Sequence, residues 1–355
     1  MSYPHRIRLR GPWEYSVIQS SALDVAYPTG RVHLPSDWSE TLGPGFRGRV
    51  AYRRHFNSPT QLDAHERVWL VIEGVDPRGT VTLNGRPLGE VKGYGLFAEF
   101  DITAELKPRN DLALEVELSE VTPDGIPPLR PGREEMAGGP IGEVYLDIRS
   151  SAFLDRCSLE AQAHGGRPRI VLRGTVVGDP QAGTLELIAH DEGGELLFAE
   201  VSAGESIEIA AEAPNLATWQ PSGAGRNVLT TIHVRLLSSG ARLWETELKT
   251  AWREIHWNET CGDLTVARQR IPFPFPTNDM VHNSATYEQW DASGELVVQA
   301  MPLDWAGDVC PRLAHHPSIV AWTTPAGEPG AASAQIQEVN SFGRPWIPRK
   351  TVLGG

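Results

Sequence analysis

Apolar and polar positions change over in short runs through most of the chain, without one sustained helical period. Asp111-Leu112-Ala113-Leu114-Glu115-Val116-Glu117-Leu118 alternates strictly, which predicts a strand with one buried face and one acidic, wet face. Arg49-Val50-Ala51-Tyr52-Arg53-Arg54-His55-Phe56 alternates as well. Arg67-Val68-Trp69-Leu70-Val71-Ile72-Glu73 is more continuously apolar, as a strand in the core of a sandwich should be. Thr80-Val81-Thr82-Leu83 and Arg86-Pro87-Leu88-Gly89 flank Asn84-Gly85, the dipeptide that best tolerates the positive φ angles of a type I′ hairpin. Further strand-like runs lie at 169–172, 184–189, 206–210 and 230–237, separated by turn clusters such as Asp191-Glu192-Gly193-Gly194 and Ser238-Ser239-Gly240. The pattern predicts a mainly β protein. A jelly-roll β-sandwich is expected over residues 1–150 and an immunoglobulin-like β-sandwich over 151–256.

Beyond residue 257 the pattern changes. Leu296-Val297-Val298-Gln299-Ala300-Met301 and Pro317-Ser318-Ile319-Val320-Ala321-Trp322 are short apolar runs bounded by Gly or Pro, and they read as strands buried on both faces. Between them Trp305, Val309 and Leu313 recur every fourth position, which predicts a crossover helix and hence a βαβ unit. Arg270-Ile271-Pro272-Phe273-Pro274-Phe275-Pro276-Thr277 carries alternate prolines and reads as an extended connector. Fewer than a hundred residues cannot build an eight-stranded barrel, which takes roughly 200 or more. Residues 257–355 are therefore read as an incomplete α/β, TIM-barrel-like remnant, expected to expose edges and apolar faces and so to favour self-association. Gly327-Glu328-Pro329 follows the second strand, at the end where β/α barrels place their chemistry.

Charge narrows the classes of function. The 355 residues carry a net charge of −13 with a sequence pI near 5.3 and no run of basic residues, which argues against nucleic acid and against an anionic membrane. Met1 to Arg10 is basic but is followed by Gly11-Pro12-Trp13-Glu14, not by the apolar stretch of a signal peptide, and no segment is long and apolar enough to span a bilayer. Cys157, Cys261 and Cys310 are far apart without CxxC spacing, so a reducing, cytoplasmic setting and no structural zinc are expected. His315-His316 lacks a third ligand at metal spacing, and the Gly-rich pieces lie between strands instead of ahead of a helix. Neither a metal nor a cofactor is expected. Trp13, Trp38 and Trp69 have the shape to stack on a sugar, but their burial potential favours packing. The long loop from Val121 to Gly139 could overhang a site.

Gly11-Pro12-Trp13, Leu34-Pro35-Ser36-Asp37-Trp38, Tyr52-Arg53-Arg54-His55-Phe56, Glu73-Gly74-Val75-Asp76, Val81-Thr82-Leu83-Asn84-Gly85, Phe100-Asp101-Ile102-Thr103 and Gly139-Pro140-Ile141-Gly142-Glu143-Val144-Tyr145-Leu146 occur in an order that resembles the N-terminal jelly roll of glycoside hydrolase family 2. Ala217-Thr218-Trp219-Gln220-Pro221, Ala251-Trp252-Arg253, Asn278-Asp279-Met280-Val281-His282 and the two apolar runs around His315-His316 continue the resemblance. It implies retaining hydrolysis of a β-glycoside, a carbohydrate partner, Glu328 as the general acid/base, and substrate contacts from His282, Gln299 and Trp322. Departures also follow. Gly327 stands where the family has an Asn, Ala251 replaces the Gly of a Gly-Phe-Arg, and the Arg expected near His282 is missing. Retention needs a second carboxylate about 5 Å from the first, and Glu338, the only side-chain carboxylate after Glu328, is too near in sequence to lie on a distant strand. The expectation is a family 2-like chain with little activity alone, the alternative being a non-catalytic carbohydrate-binding or assembly module.

Overall fold

The computed structural model describes residues 3–21, 26–118, 137–164, 167–178, 183–191, 193–222, 227–271, 275, 277–282, 284–324 and 342–347. The chain divides into two compact units, His5–Arg149 and Met1–Pro4 with Ser150–Gly355.

The N-terminal unit is built on strands β1 (His5–Arg8), β2 (Trp13–Ser20), β3 (Gly30–Val32), β4 (Gly48–Asn57), β5 (Glu66–Leu83), β6 (Arg86–Asp101), β7 (Arg109–Leu118) and β8 (Val144–Ser150). They form one curled sheet in the order β1-β8-β5-β7-β4-β2-β3, with β6 paired to β5. β5 unites two runs that read separately in sequence. Its register shifts between Ile72 and Arg78, where Gly74 has φ 149°, and only its second half, Arg78–Leu83, pairs with β7. β5 thus changes neighbours along its length, pairing with β6 over both halves and with β7 only over its second half. Leu70, Ile72, Leu83, Leu112, Leu114 and Val116 of β5 and β7 are fully buried. The β5–β6 turn has Asn84 at φ 54° and Gly85 at φ 83°, the expected type I′ geometry. Asn84 also accepts the Asp111 N–H at 3.0 Å and donates to Asn110 at 2.9 Å, so the turn is tied to the neighbouring strand.

The C-terminal unit begins with seven antiparallel strands in two sheets. β9 (Phe153–His164), β10 (Arg167–Val177) and β13 (Ser206–Glu212) form one, in the order β13-β10-β9. β11 (Gly183–Asp191), β12 (Gly194–Ser202), β14 (Thr230–Ser238) and β15 (Ala241–Thr250) form the other, in the order β12-β11-β14-β15. A small meander of β16 (Ile255–Asn258), β17 (Asp263–Val266) and β18 (Gln269–Ile271) follows. Then comes a parallel sheet of β19 (Thr277–Asn278), β20 (Val297–Ala300) and β21 (Ile319–Thr323), with helix α1 (Ser284–Ser293) before β20 and α2 (Ala306–Leu313) between β20 and β21. The βαβ unit is therefore present, and Trp305, Val309 and Leu313 are its buried stripe. Pro272, Pro274 and Pro276 of the expected connector lie outside the described residues.

The parallel sheet does not expose the apolar faces expected of an unclosed barrel. Every residue of β20 and β21 is buried. One face, through Val298, Val320 and Ala321, packs on Leu264, Val266 and Ile271 of the meander and on Trp219 and Ala251 from the antiparallel part. The flank of β21 is partly covered too. The Trp322 N–H donates to Pro345 O at 2.9 Å and the Ile347 N–H to Trp322 O at 2.8 Å, so 345–347 return beside β21 in parallel. Among the described residues no helix is long and apolar enough to cross a membrane.

One turn is strained. Val266 pairs with Gln269, and the two residues between, Ala267 and Arg268, have φ of 49° and 66°. Neither side chain favours that region. The double change Ala267→Asn with Arg268→Gly should stabilise the protein by about 1 kcal/mol, read as a higher urea midpoint at unchanged slope. A lower midpoint would refute the assignment of strain.

Candidate functional site

The carboxyl ends of β19, β20 and β21 bring together the residues singled out after position 277. Gln299, fully buried in β20, is the hub. Its Nε2 donates to Asn278 O (3.1 Å), Met280 O (3.1 Å) and Ala300 O (2.8 Å). Its Oε1 accepts the Tyr287 hydroxyl at 2.8 Å and Asn278 Nδ2 at 2.7 Å. Asn278 Nδ2 donates also to Met280 O, so its Oδ1 is the acceptor left for His282 Nε2, 3.1 Å away. The Tyr287 hydroxyl further accepts the His282 N–H at 3.3 Å, and the imidazole meets the Trp290 ring edge-on at 5.1 Å. Half-buried His282 is thereby held in one orientation.

Gln299 and Trp322 were read as substrate contacts, and the structure gives both an internal place. They are register partners in β20 and β21. Both stand on the face opposite Val298 and Ala321, since side chains alternate along a strand. Gln299 meets Tyr287 of α1, and Trp322 lies under the Arg344 guanidinium at 5.4 Å. Both are 0 % exposed. Thr323, last in β21, shares the face of Ala321. Its Oγ1 is buried with no hydrogen-bond partner among the described residues. Glu328, Gly327 and Glu338 lie outside the described residues. Sequence reasoning passed over two carboxylates at this end. Asp279 follows β19 directly, and exposed Asp304 follows β20. Their signal was their position just past a strand, the criterion that singled out Glu328.

The amino ends carry a separate buried polar cluster. Asp291 of α1 holds His316 Nδ1 at 2.7 Å and accepts the Ser318 N–H and hydroxyl at 2.9 and 2.6 Å. Arg344 donates to Ile319 O (2.7 Å), Ala314 O (2.7 Å), His316 O (2.9 Å) and Phe342 O (3.1 Å). Arg253, just before β16, shares Ile319 O at 2.6 Å. Burial lowers Arg344 to about 10, still protonated at neutral pH. Arg253 is lowered well below its usual value, by burial first and then by Arg344. Tyr287 joins the two ends, its hydroxyl on Gln299 and its ring stacked on His316 at 5.0 Å.

His315 makes this cluster sensitive to pH. Burial, then the neighbouring His316 and Arg344 charges, hold its pKa well below 6.5. A depressed folded-state pKa stabilises the fold above the unfolded-state value and is lost as pH falls below it, because only the unfolded chain then takes the proton. Unfolding free energy should therefore fall by up to about 1.4 kcal/mol per unit of pH below 6.5 from this group. His315→Leu should flatten the slope between pH 6.5 and 5, and an unchanged slope would reject the assignment. Among the described residues no group of three or more His, Cys, Asp or Glu is placed to hold a metal ion.

Residues 47–126 match the family described as Glycosyl hydrolase 2 galactose-binding domain-like. The chain carries a glycoside hydrolase family 2-type domain. No curated protein matches the chain in sequence. Solved glycosidases share the fold over most of the chain. The chain superposes on an FMN-binding β-glucuronidase from Facaelibacterium prausnitzii L2-6 with TM-score 0.76 and 18% identity, over 92% of this chain and 58% of that one. A β-D-mannosidase from Dictyoglomus thermophilum gives 0.76 and 14%, over 97% and 57%. A Bifidobacterium dentium β-glucuronidase, complexed with coumarin-3-O-glucuronide, gives 0.73 and 16%, over 98% and 74%. The chain thus spans little more than half of the first and second of these structures.

Proposed function

We propose that the chain is a carbohydrate-directed protein of the family 2 type, built for a β-glycoside at the carboxyl ends of β19, β20 and β21. The observation that carries this reading is the ordered chain from Gln299 through Asn278 to His282. It sets a half-exposed imidazole at the end of a parallel sheet where β/α folds place their chemistry. His282 contacts substrate in this reading, while Gln299 and Trp322 position the groups around it. Glu328 protonates the leaving oxygen, and after a second carboxylate has attacked the anomeric carbon, it takes the proton from the water that releases the sugar. Glu338 is the only side-chain carboxylate in the sequence after Glu328, and Gly327 offers no side chain to the sugar 2-hydroxyl. These 355 residues by themselves are accordingly proposed to bind but to turn over little.

Incubation with a panel of aryl β-glycosides tests this. The expected release of phenol stays within tenfold of the buffer rate. Robust turnover that disappears in Glu328→Gln would show that the chain is a complete enzyme.

A further inference from the structure

One edge of the four-stranded sheet β12-β11-β14-β15 is open to a further strand. At the β15 end the Glu245 N–H already donates to Tyr3 O at 2.9 Å. At the other end, among the described residues, β12 has no strand beyond β11. The register fixes which backbone groups stand free there. The Ala203 N–H donates to Gly183 O at 2.7 Å, and Thr184 pairs with Ser202, so Leu197, Ala199 and Val201 turn their N–H and C=O groups toward β11. Phe198, Glu200 and Ser202 turn theirs outward, and all three are exposed. The side chains leave the edge unfinished as well. Leu185, Leu187 and Ala189 of β11 are buried, whereas their partners Val201, Ala199 and Leu197 are only half-buried, so the apolar inner face runs out to the rim of the sheet. On the outer face Phe198, opposite Ile188, is 47% exposed. Edges are ordinarily blunted by Lys, by Pro or by a charge pointing inward, and Leu197–Ser202 contains none of these.

Charge and residue pattern select the incoming strand, because β12 complements itself. Two antiparallel copies related by a two-fold axis must pair outward-turned residues with one another. A register centred on Glu200 sets like charges directly opposite. One centred on Phe198 runs into the bulge, where Leu196 has no partner between Leu197 and Glu195. A register centred on Ala199 avoids both. It sets Leu197 against Val201 and Ala199 against Ala199 on the inner face, and Phe198 against Glu200 on the outer face. The two Phe198 rings then stand at diagonal positions, within reach of each other. We infer that the chain forms a two-fold dimer through β12, which joins two four-stranded sheets into one of eight strands and closes the apolar inner face of each. The dimer is independent of the carbohydrate reading. A ladder this short buries less than the roughly 1,200 Å² of a stable interface, so a dissociation constant on the order of 10–100 µM is expected. Each copy carries a net charge of −13, so added salt should tighten the dimer by screening that repulsion.

Sedimentation of the full chain from about 1 to about 300 µM tests this, the mass expected to move from the 38.9 kDa monomer toward twice that value and no further. Two variants at the exposed Phe198 read the register. Phe198→Glu faces Glu200 of the second copy with a like charge at two symmetry-related positions and should weaken the dimer tenfold or more, to about 1 mM. Phe198→Lys meets the same carboxylate with the opposite charge and should dimerise within about threefold of the natural chain. Both should keep the natural chain's urea midpoint at low concentration. Hydrogen exchange gives a second reading: the Phe198 and Glu200 amides should gain protection as concentration rises, while those of Leu197, Ala199 and Val201 are protected throughout. A chain that stays monomeric over the whole range overturns the inference, as does association that continues beyond the dimer. A dimer untouched by Phe198→Glu places the contact elsewhere and overturns it too. Equal loss in the Glu and Lys variants replaces a paired strand by a merely apolar patch and overturns the register.

Discussion

Arg344→Met is expected to lower the stability of the C-terminal unit by about 3–5 kcal/mol, enough to unfold it under mild conditions. Arg344 is 3% exposed and its guanidinium donates to four carbonyls, from Ile319, Ala314, His316 and Phe342. Methionine fills much of the volume but donates nothing. Buried acceptors then lose their partners, each at about 1–3 kcal/mol where no water replaces the arginine. Relief of a desolvated charge beside Arg253 offsets part of this loss, which keeps the figure below the sum of the parts. The loss of segment 342–347 should follow, since Arg344 also lies over Trp322 and the backbone of 345–347 is bonded to β21. Urea unfolding followed by tryptophan fluorescence measures it. Arg344→Lys is the informative second variant, because a point charge cannot span carbonyls set for a planar fork. If Lys restores the wild-type midpoint, the argument from geometry is wrong.

The second large effect is expected at Asp291. Asp291→Ala removes the acceptor for two Ser318 donors and for His316 Nδ1 at once, all inside the unit, and should cost about 3–5 kcal/mol. Asp291→Asn keeps an oxygen for Ser318 and most of the shape, so about 1–2 kcal/mol is expected of it. The order matters more than either value. Equal losses in the two variants would mean that the side chain acts through packing alone, and no loss in either would remove the cluster from any account of stability. Because Trp219 Nε1 donates to the Asp291 backbone carbonyl at 2.8 Å, a bond independent of the side chain, both variants should retain that link.

The β architecture was legible where local chemistry alone decides the outcome. The strict alternation of 111–118 gave a strand with alternate buried positions, and Asn84-Gly85 gave the turn it promises, because a two-residue hairpin leaves few other choices. The βαβ unit was legible from Trp305, Val309 and Leu313 for the same reason. β5 was not read as one strand, because carrying a long strand through register shifts depends on partners distant in sequence. β12 and β15 escaped notice because Glu, Arg and Lys break up their apolar alternation. At the site, strand position drew attention to 278–303, and Gln299 and Trp322, read as substrate contacts, are buried in the sheet. A polar or aromatic residue near a strand end looks alike in sequence whether it faces a ligand or a helix. The Asp291–His316–Ser318 cluster had no local signature at all, since its members come from α1 and from the turn before β21.

Trp219 and Ala251 come from the antiparallel region, yet their apolar neighbours include Leu264, Ile271, Val298 and Val320. A shortened polypeptide ending at residue 256 would therefore leave an indole and a strip of aliphatic carbon facing solvent. Dissecting the C-terminal unit into a stand-alone sandwich thus calls for polar replacements at those two positions. Without them, the severed piece should precipitate or dimerise through the uncovered strip, whatever its strands do.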